Sequence, residues 1–227
     1  RSILSADVVR RESGYPVLMQ RLAFVSSPTP ETVAFLDAAR ADSNVHTRRA
    51  ATVAVGALAQ NLDGNDKSAE ANRIRSALEA DLEASSDVED SAALIRGLGN
   101  ARSYAMVVTY ARSSEFRLRG AVATALRGAD DDDARSMLLE LAGDSNALVQ
   151  RSAIRALTGR PMAPREQAAV AELVARGETS RTNDTVVVTL LQQRVTGEQR
   201  NDALRFVFNR AVDDARLRGR IRRILAP

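Results

Sequence analysis

Apolar and small residues recur three and four apart along most of this chain, the period at which one face of a helix is buried. Ala121, Val122, Ala125 and Leu126 form one such stripe, and Ala153, Ala156 and Leu157 another. The stretch 69–82 reads as an amphipathic helix with Ile74, Leu78 and Leu82 on one face. Val186, Val187 and Val188 are β-branched, but they sit inside a helical pattern with Leu190, Leu191 and Val195. Alternation at period two is nearly absent, so the pattern predicts an all-helical chain of about fourteen helices joined by short connections. Boundary signals agree. Pro28 to Glu31, Asp130 to Asp133 and Pro161 to Glu166 place Pro or acids where helices open. Asn100, Gly128, Gly159 and Gly197 stand at predicted helix ends, where a left-handed residue is expected. The polar run Asn61 to Ser68, with Gly64, reads as a long loop.

The helices repeat. Arg117-Leu118-Arg119-Gly120 matches Arg216-Leu217-Arg218-Gly219 without gaps. Asp42-Ser43-Asn44, followed by Arg49, Ala51 and Ala54, matches Asp144-Ser145-Asn146, followed by Arg151, Ala153 and Ala156. Val122, Ala125, Leu126 and Gly128 align with Ala153, Ala156, Leu157 and Gly159. All three offsets fit a unit of about 33 residues, within the range of helical repeat proteins. Two helices per unit predict a right-handed superhelix of HEAT-like or armadillo-like pairs, a single α-solenoid domain over 1–227. Stacked units bury one face against their neighbours, so Leu126, Leu157 and Leu225 are expected between units.

Composition refines this picture. Hydrophobic residues make up 44%, but aromatics only 4%, which suits a thin helical stack better than one bulky core. Cys is absent, so disulfides and thiol chemistry are excluded. No run approaches the roughly 20 apolar residues of a membrane-spanning helix. Arg1 to Leu4 is no secretory signal, and the lack of an initial Met suggests a fragment of a longer protein. The net charge is +3, and Lys67 is the single lysine among 32 basic residues. Residues 198–227 hold eight Arg against four acids, while the remainder is close to neutral.

Catalytic chemistry finds little support. His46 is the one histidine, without the second His or the His-Glu-x-x-His spacing of a metal site. Asp130 to Asp133 lacks the alternating ligands and Gly turn of a Ca²⁺ loop and reads as a solvated helix start. Gly97, Gly99 and Asn100 follow no strand and precede no Lys, so they read as close packing rather than a phosphate loop. No enzyme activity, cofactor or metal is expected. Arginine is the residue type that stands out. Arg48, Arg119, Arg151 and Arg218 recur near the start of the second helix of a unit, where they would pair with an Asp of the next unit or line an anion-binding groove. In the final helix, Leu217, Ile221, Ile224 and Leu225 share one stripe, leaving Arg216, Arg220 and Arg223 as an exposed cationic row. Arg216, Arg220, Arg223, Arg119 and Arg151 are thus the candidate partner-binding residues.

The run Ala50 to Leu58, then Leu94-Ile95-Arg96-Gly97-Leu98-Gly99-Asn100-Ala101, then Arg119 to Arg127 and Val149 to Met162, follows a recognisable order. It resembles the vitellogenin-type helical domain of the large lipid transfer proteins. Gly97 stands where that family usually has Ala, and Arg102 where it has Gly. The resemblance covers about half the chain and implies a non-enzymatic scaffold. Such a layer would hold a protein partner or a flanking lipid-binding domain, with lipid bound through domains this chain does not contain. Two alternatives stay open: an Arg-lined solenoid that binds nucleic acid, or an accessory repeat that serves a separate enzyme. Few aromatics and a mild net charge make nucleic acid the disfavoured partner.

Overall fold

The computed structural model describes residue 25, residues 28–65 and residues 67–226. The chain's first residues, Arg1 to Leu4, lie outside these. Among the described residues there are twelve α-helices and no strand, so the chain is all-α. About fourteen were expected over the whole chain; the described residues add two 3₁₀ turns, Leu126–Gly128 and Arg181–Asn183, to the twelve. The described chain divides into two compact units at Tyr110.

The first unit holds α1 (Pro30–Arg40), α2 (Val45–Asp63), α3 (Ser68–Ala84), α4 (Val88–Asn100) and the short α5 (Tyr104–Val108). Helix α2 runs through Asp63, so the expected polar loop shrinks to the few residues before Ser68. There Asn65 Nδ2 bonds the Asn61 carbonyl, and the Lys67 amide bonds that of Leu62. Ile74, Leu78 and Leu82 are buried as the stripe on α3 predicts. Helices α2 and α4 pack on each other, and α1 and α3 lie across α2. The α2–α4 crossing is made by two glycines. A methyl group on Gly56 would sit 1.8 Å from the Gly97 carbonyl oxygen, and one on Gly97 would sit 2.8 Å from the Thr52 carbonyl oxygen. Backbone therefore touches backbone there. Asn100, at the end of α4, fastens the pair by donating to the Val53 carbonyl at 3.1 Å.

The second unit holds α6 (Phe116–Ala125), α7 (Asp132–Ala142), α8 (Ala147–Thr158), α9 (Pro164–Ala175), α10 (Asp184–Arg194), α11 (Gly197–Arg210) and α12 (Ala215–Leu225). Each helix packs most extensively on those one or two positions away. Thus α6, α8, α10 and α12 form one layer, and α7, α9 and α11 form the other. The core is aliphatic and small: Val122, Leu126, Leu138, Ala153, Leu157, Leu191 and Leu204 are fully buried. Leu126 is buried as expected, as is Leu157, whereas Leu225, their counterpart on the last helix, is only half-buried.

The helix starts follow their sequence signals. Thr29, Asn44, Asp87, Asp131, Asn146 and Asp214 each cap a helix by accepting one or more amides of its first turn. The repeat seen between residues 42 and 144 is geometric as well. Asp42 accepts the Asn44 amide at 2.7 Å, and Asp144 accepts the Asn146 amide at 2.7 Å. The helix ends differ from expectation. Gly159 is right-handed at φ −72°, because its amide already bonds the Arg155 carbonyl in a right-handed turn. Asn100 remains helical and Gly128 ends a 3₁₀ turn. The left-handed positions are Gly177 at φ 75°, Gly197 at φ 73° and Arg102 at φ 61°. Gly197 opens α11 instead of closing α10.

Two substitutions test the packing. Gly56→Ala forces α2 from α4 and is expected to cost about 3 kcal/mol or more, at the top of the range for overpacked cores. Leu126→Ala leaves a cavity and is expected to cost about 2–5 kcal/mol. Denaturant titration reads both, and a change below about 0.5 kcal/mol, the level of an exposed site, would contradict this packing.

Candidate functional site

The predicted arginines divide into structural ties and exposed cations. Arg119, at the second turn of α6, pairs with Asp144 through Nε at 2.6 Å and Nη2 at 2.9 Å. Both side chains are nearly buried, and the remaining nitrogen donates to the Ser113 and Ser114 carbonyls. This is the expected tie between one helix pair and the next. Arg48 donates likewise to the Asp42 carbonyl at 3.1 Å and lies 3.6 Å from Asp90. In the next repeat, however, that place belongs to Gln150, not Arg151. Gln150 Nε2 bonds the Asp144 carbonyl at 2.7 Å, six residues back, as Arg48 and Arg119 do. The buried Gln150 amide also bonds the Glu178 carbonyl, the Ser180 amide and Asn183. Arg151, one residue on, is held by Asn183 at 3.0 Å and the Thr182 carbonyl at 3.1 Å. Arg218 stacks on the Phe208 ring at 4.3 Å.

The cationic row on α12 is broken in the middle. Arg216 and Arg223 are exposed. Arg220 instead leans onto α10, donating to Thr189 Oγ1 at 3.1 Å and Gln192 Oε1 at 2.7 Å. The stripe left open by Leu217 and Ile221, which are buried, therefore carries two outward arginines, with Arg222 beside them over Phe208.

A larger pattern emerges when charge is sorted by layer in the second unit. Helices α6, α8 and α12 contain no Asp or Glu, and α10 contains only Asp184, which is buried and paired with Arg210. The acids lie instead in α7, α9, α11 and the loops. Exposed arginines at the other layer are neutralised, Arg165 by Asp132, Arg176 by Glu172 and Arg205 by Asp202, and Arg112, in the loop before α6, is neutralised by Glu140 of α7. On the acid-poor layer, Arg127, Arg155, Arg216 and Arg223 are exposed with no carboxylate in ion-pair reach among the described residues. Arg127 and Arg155 were not singled out by the repeat alignment. Their signal is the absence of acids from two whole helices, a property of segments rather than of any position.

The first unit has an open cleft of about 500 Å³, with Arg40, Arg48, Arg49, Asp81 and Asp90 among its lining. Its guanidinium groups already face carboxylates, Arg40 that of Asp81 and Arg49 those of Asp87 and Asp90. His46 is exposed in the first turn of α2. Asp131 caps α7, as a solvated helix start requires. Among the described residues no group of three His, Cys, Asp or Glu is placed to hold a metal, and no helix is long and apolar enough to cross a membrane.

The sequence matches no known family description and no curated protein. Among solved structures it is similar to an engineered protein, at 16% identity over 85% of this chain and 94% of that one, with a TM-score of 0.47.

The two buried Arg–Asp ties respond to pH in opposite senses. The Arg119 guanidinium, helped by the Asn146 amide, holds the Asp144 carboxyl below its usual range. Burial pushes the Asp184 carboxyl up, and Arg210 offsets this only in part. A depressed folded pKa contributes stability above the unfolded value of about 3.9 and loses it as pH falls through the folded value. A raised one has the reverse sign, disfavouring the fold as pH rises. Asp144→Asn is therefore expected to destabilise by about 3 kcal/mol at neutral pH, a gap that closes in acid below the ordinary carboxylate range. Asp184→Asn should cost less at neutral pH. Thermal melts across pH measure both, and an Asp144→Asn deficit that persists undiminished into strong acid would contradict the pairing.

Proposed function

We propose that this chain is a segment of HEAT-like α-solenoid, a right-handed superhelix of helix pairs, that serves as a non-enzymatic interaction module for an anionic partner. The observation that carries the function is the acid-poor layer of the second unit, where Arg127, Arg155, Arg216 and Arg223 are exposed with no carboxylate in ion-pair reach among the described residues. Leaving like charges together on one surface opposes folding slightly, and an anionic partner relieves it. The fold reading is supported by the two-layer packing of the second unit, by the matched turns at Asp42 and Asp144, and by the Arg119–Asp144 tie between successive pairs.

A second reading, the helical layer of a lipid-transport protein of the vitellogenin type, draws support from Arg102. That residue stands where the family pattern has Gly, and its φ of 61° is a conformation that favours Gly. Gly97 pulls the other way. The family's Ala would place its methyl 2.8 Å from the Thr52 carbonyl oxygen. In this reading the basic surface faces the flanking lipid-binding domain.

Retention on heparin tests the anionic-partner reading. Arg216→Glu/Arg223→Glu should elute at clearly lower salt than the parent chain, because attraction at this surface is screened over roughly 8–10 Å at ordinary ionic strength. Helix content should not change, since exposed charges contribute little to folding. Equal elution of the two proteins would remove this reading.

A further inference from the structure

We infer that the acid-poor layer of the second unit is a binding surface for the phosphate backbone of double-stranded nucleic acid. The inference rests on the reading of that layer as an anion-binding surface and specifies the anion.

Adjacency comes first. The exposed stripes of the layer's helices lie side by side. A methyl on Gly120 of α6 would be 4.0 Å from Ser152 Oγ on α8. Ser152 is followed one turn later on α8 by Arg155. Arg220 of α12 reaches Thr189 and Gln192 on α10. From α6 to α12 there are three helix-to-helix steps of about 8–10 Å, a width on the order of 30 Å. That is close to one turn of a duplex, about 34 Å.

The chemistry of the stripes selects the partner. Beyond arginine they offer the Ser152 and Thr185 hydroxyls and the Gln192 amide nitrogen, while the Thr124 and Thr189 hydroxyls donate to their own helices. Arg, Ser, Thr and Gln are the side chains that contact phosphate and sugar. The guanidinium fork fits phosphate oxygens in pairs, which a lysine cannot do. A protein partner would call for aromatic or aliphatic anchors at the centre of the surface. Leu148 is the one large aliphatic residue exposed on these helices, at 55%. A single-stranded partner would call for exposed rings on which bases stack. Phe208, the ring nearest the α12 arginines, is covered by Arg218 at 4.3 Å and Arg222 at 5.3 Å. What is left is a polar, cationic, ring-poor surface, suited to a regular phosphate lattice and indifferent to base sequence. The whole-chain charge of +3 hides this surface, because the acids that offset it are held on the opposite layer and in loops.

The test is fluorescence anisotropy with the full chain and a labelled duplex of about 20 base pairs, two helical turns, of arbitrary sequence. Affinity should fall with salt at a log–log slope of about −3.6, for four phosphates engaged by Arg127, Arg155, Arg216 and Arg223 at −0.9 each. Arg155→Glu/Arg216→Glu/Arg223→Glu should weaken binding about tenfold or more at ~0.1 M salt and make the slope shallower by about 2.7. Circular dichroism and melting should match the parent. Arg112→Glu/Arg176→Glu/Arg205→Glu removes the same number of arginines from the neutralised set and should bind within about twofold of the parent at equal salt. Tighter binding of a single strand of equal length, of polyglutamate or of phosphatidylserine vesicles than of the duplex would overturn the assignment. So would equal loss in the two triple variants. If the chain is held on heparin through Arg216 and Arg223 yet ignores the duplex, this inference fails and the anionic-partner reading stands. If neither is bound, both fail.

Discussion

A helix in the interior of a two-layer stack is covered by neighbours on both flanks and beneath, so a single narrow stripe of it meets water. Most of this molecule's chemistry follows from that constraint. On α8 the buried set is Val149, Gln150, Ala153, Ile154, Ala156 and Leu157, half of the helix, and only Leu148 and Arg155 are exposed. What remains are positions such as Arg151, Ser152 and Arg155. Three-sided burial also explains why alanine is so frequent and rings so few. Small side chains let helices approach closely, and aromatic bulk would hold the layers apart.

Arginine meets this constraint in two ways. Its stem covers apolar surface while its head reaches a distant partner. Where the head reaches an aspartate of the following turn, as Arg119 reaches Asp144, it joins consecutive helix pairs within the second unit. Where the stripe faces outward, the head stays in water. The same residue type thus builds the joints and furnishes the surface. The two roles are told apart only by what stands opposite, and this is why Arg220, in register with Thr189 of α10, is a joint while Arg216 and Arg223 are not.

The helical class was plain in the sequence because a period near 3.6 survives any detail of packing. Stripes such as Ile74, Leu78 and Leu82 needed no further information. The caps were equally legible, since Asn44 and Asn146 act on amides two or three residues away. Contacts across space were harder. Arg48, Arg119 and Gln150 each stand six residues after the carbonyl they bond, a spacing that points to Gln150, whereas residue type alone pointed to Arg151. Gly159 looked like a left-handed terminus by residue type, but its conformation is set by the right-handed turn that follows α8. The basic row on α12 was found as a face, but Arg220 was drawn from it by hydroxyl and amide groups some thirty residues earlier in the chain. The charge difference between layers required knowing which helices share a layer, although the acid-free segments could be read directly.

The crossing at Gly56 and Gly97 has an evolutionary consequence. Neither position can gain even a methyl group without moving a carbonyl of the facing helix. Each is therefore closed to single-step change, and a drifting lineage must hold both or lose the contact between α2 and α4. Stripe positions such as Ser152 or Arg155 touch water and carry no packing restriction. What holds them is a partner and not the fold, whereas the crossing is held by the fold alone. A chain built this way can exchange the chemistry of its surface many times while its helices keep their places.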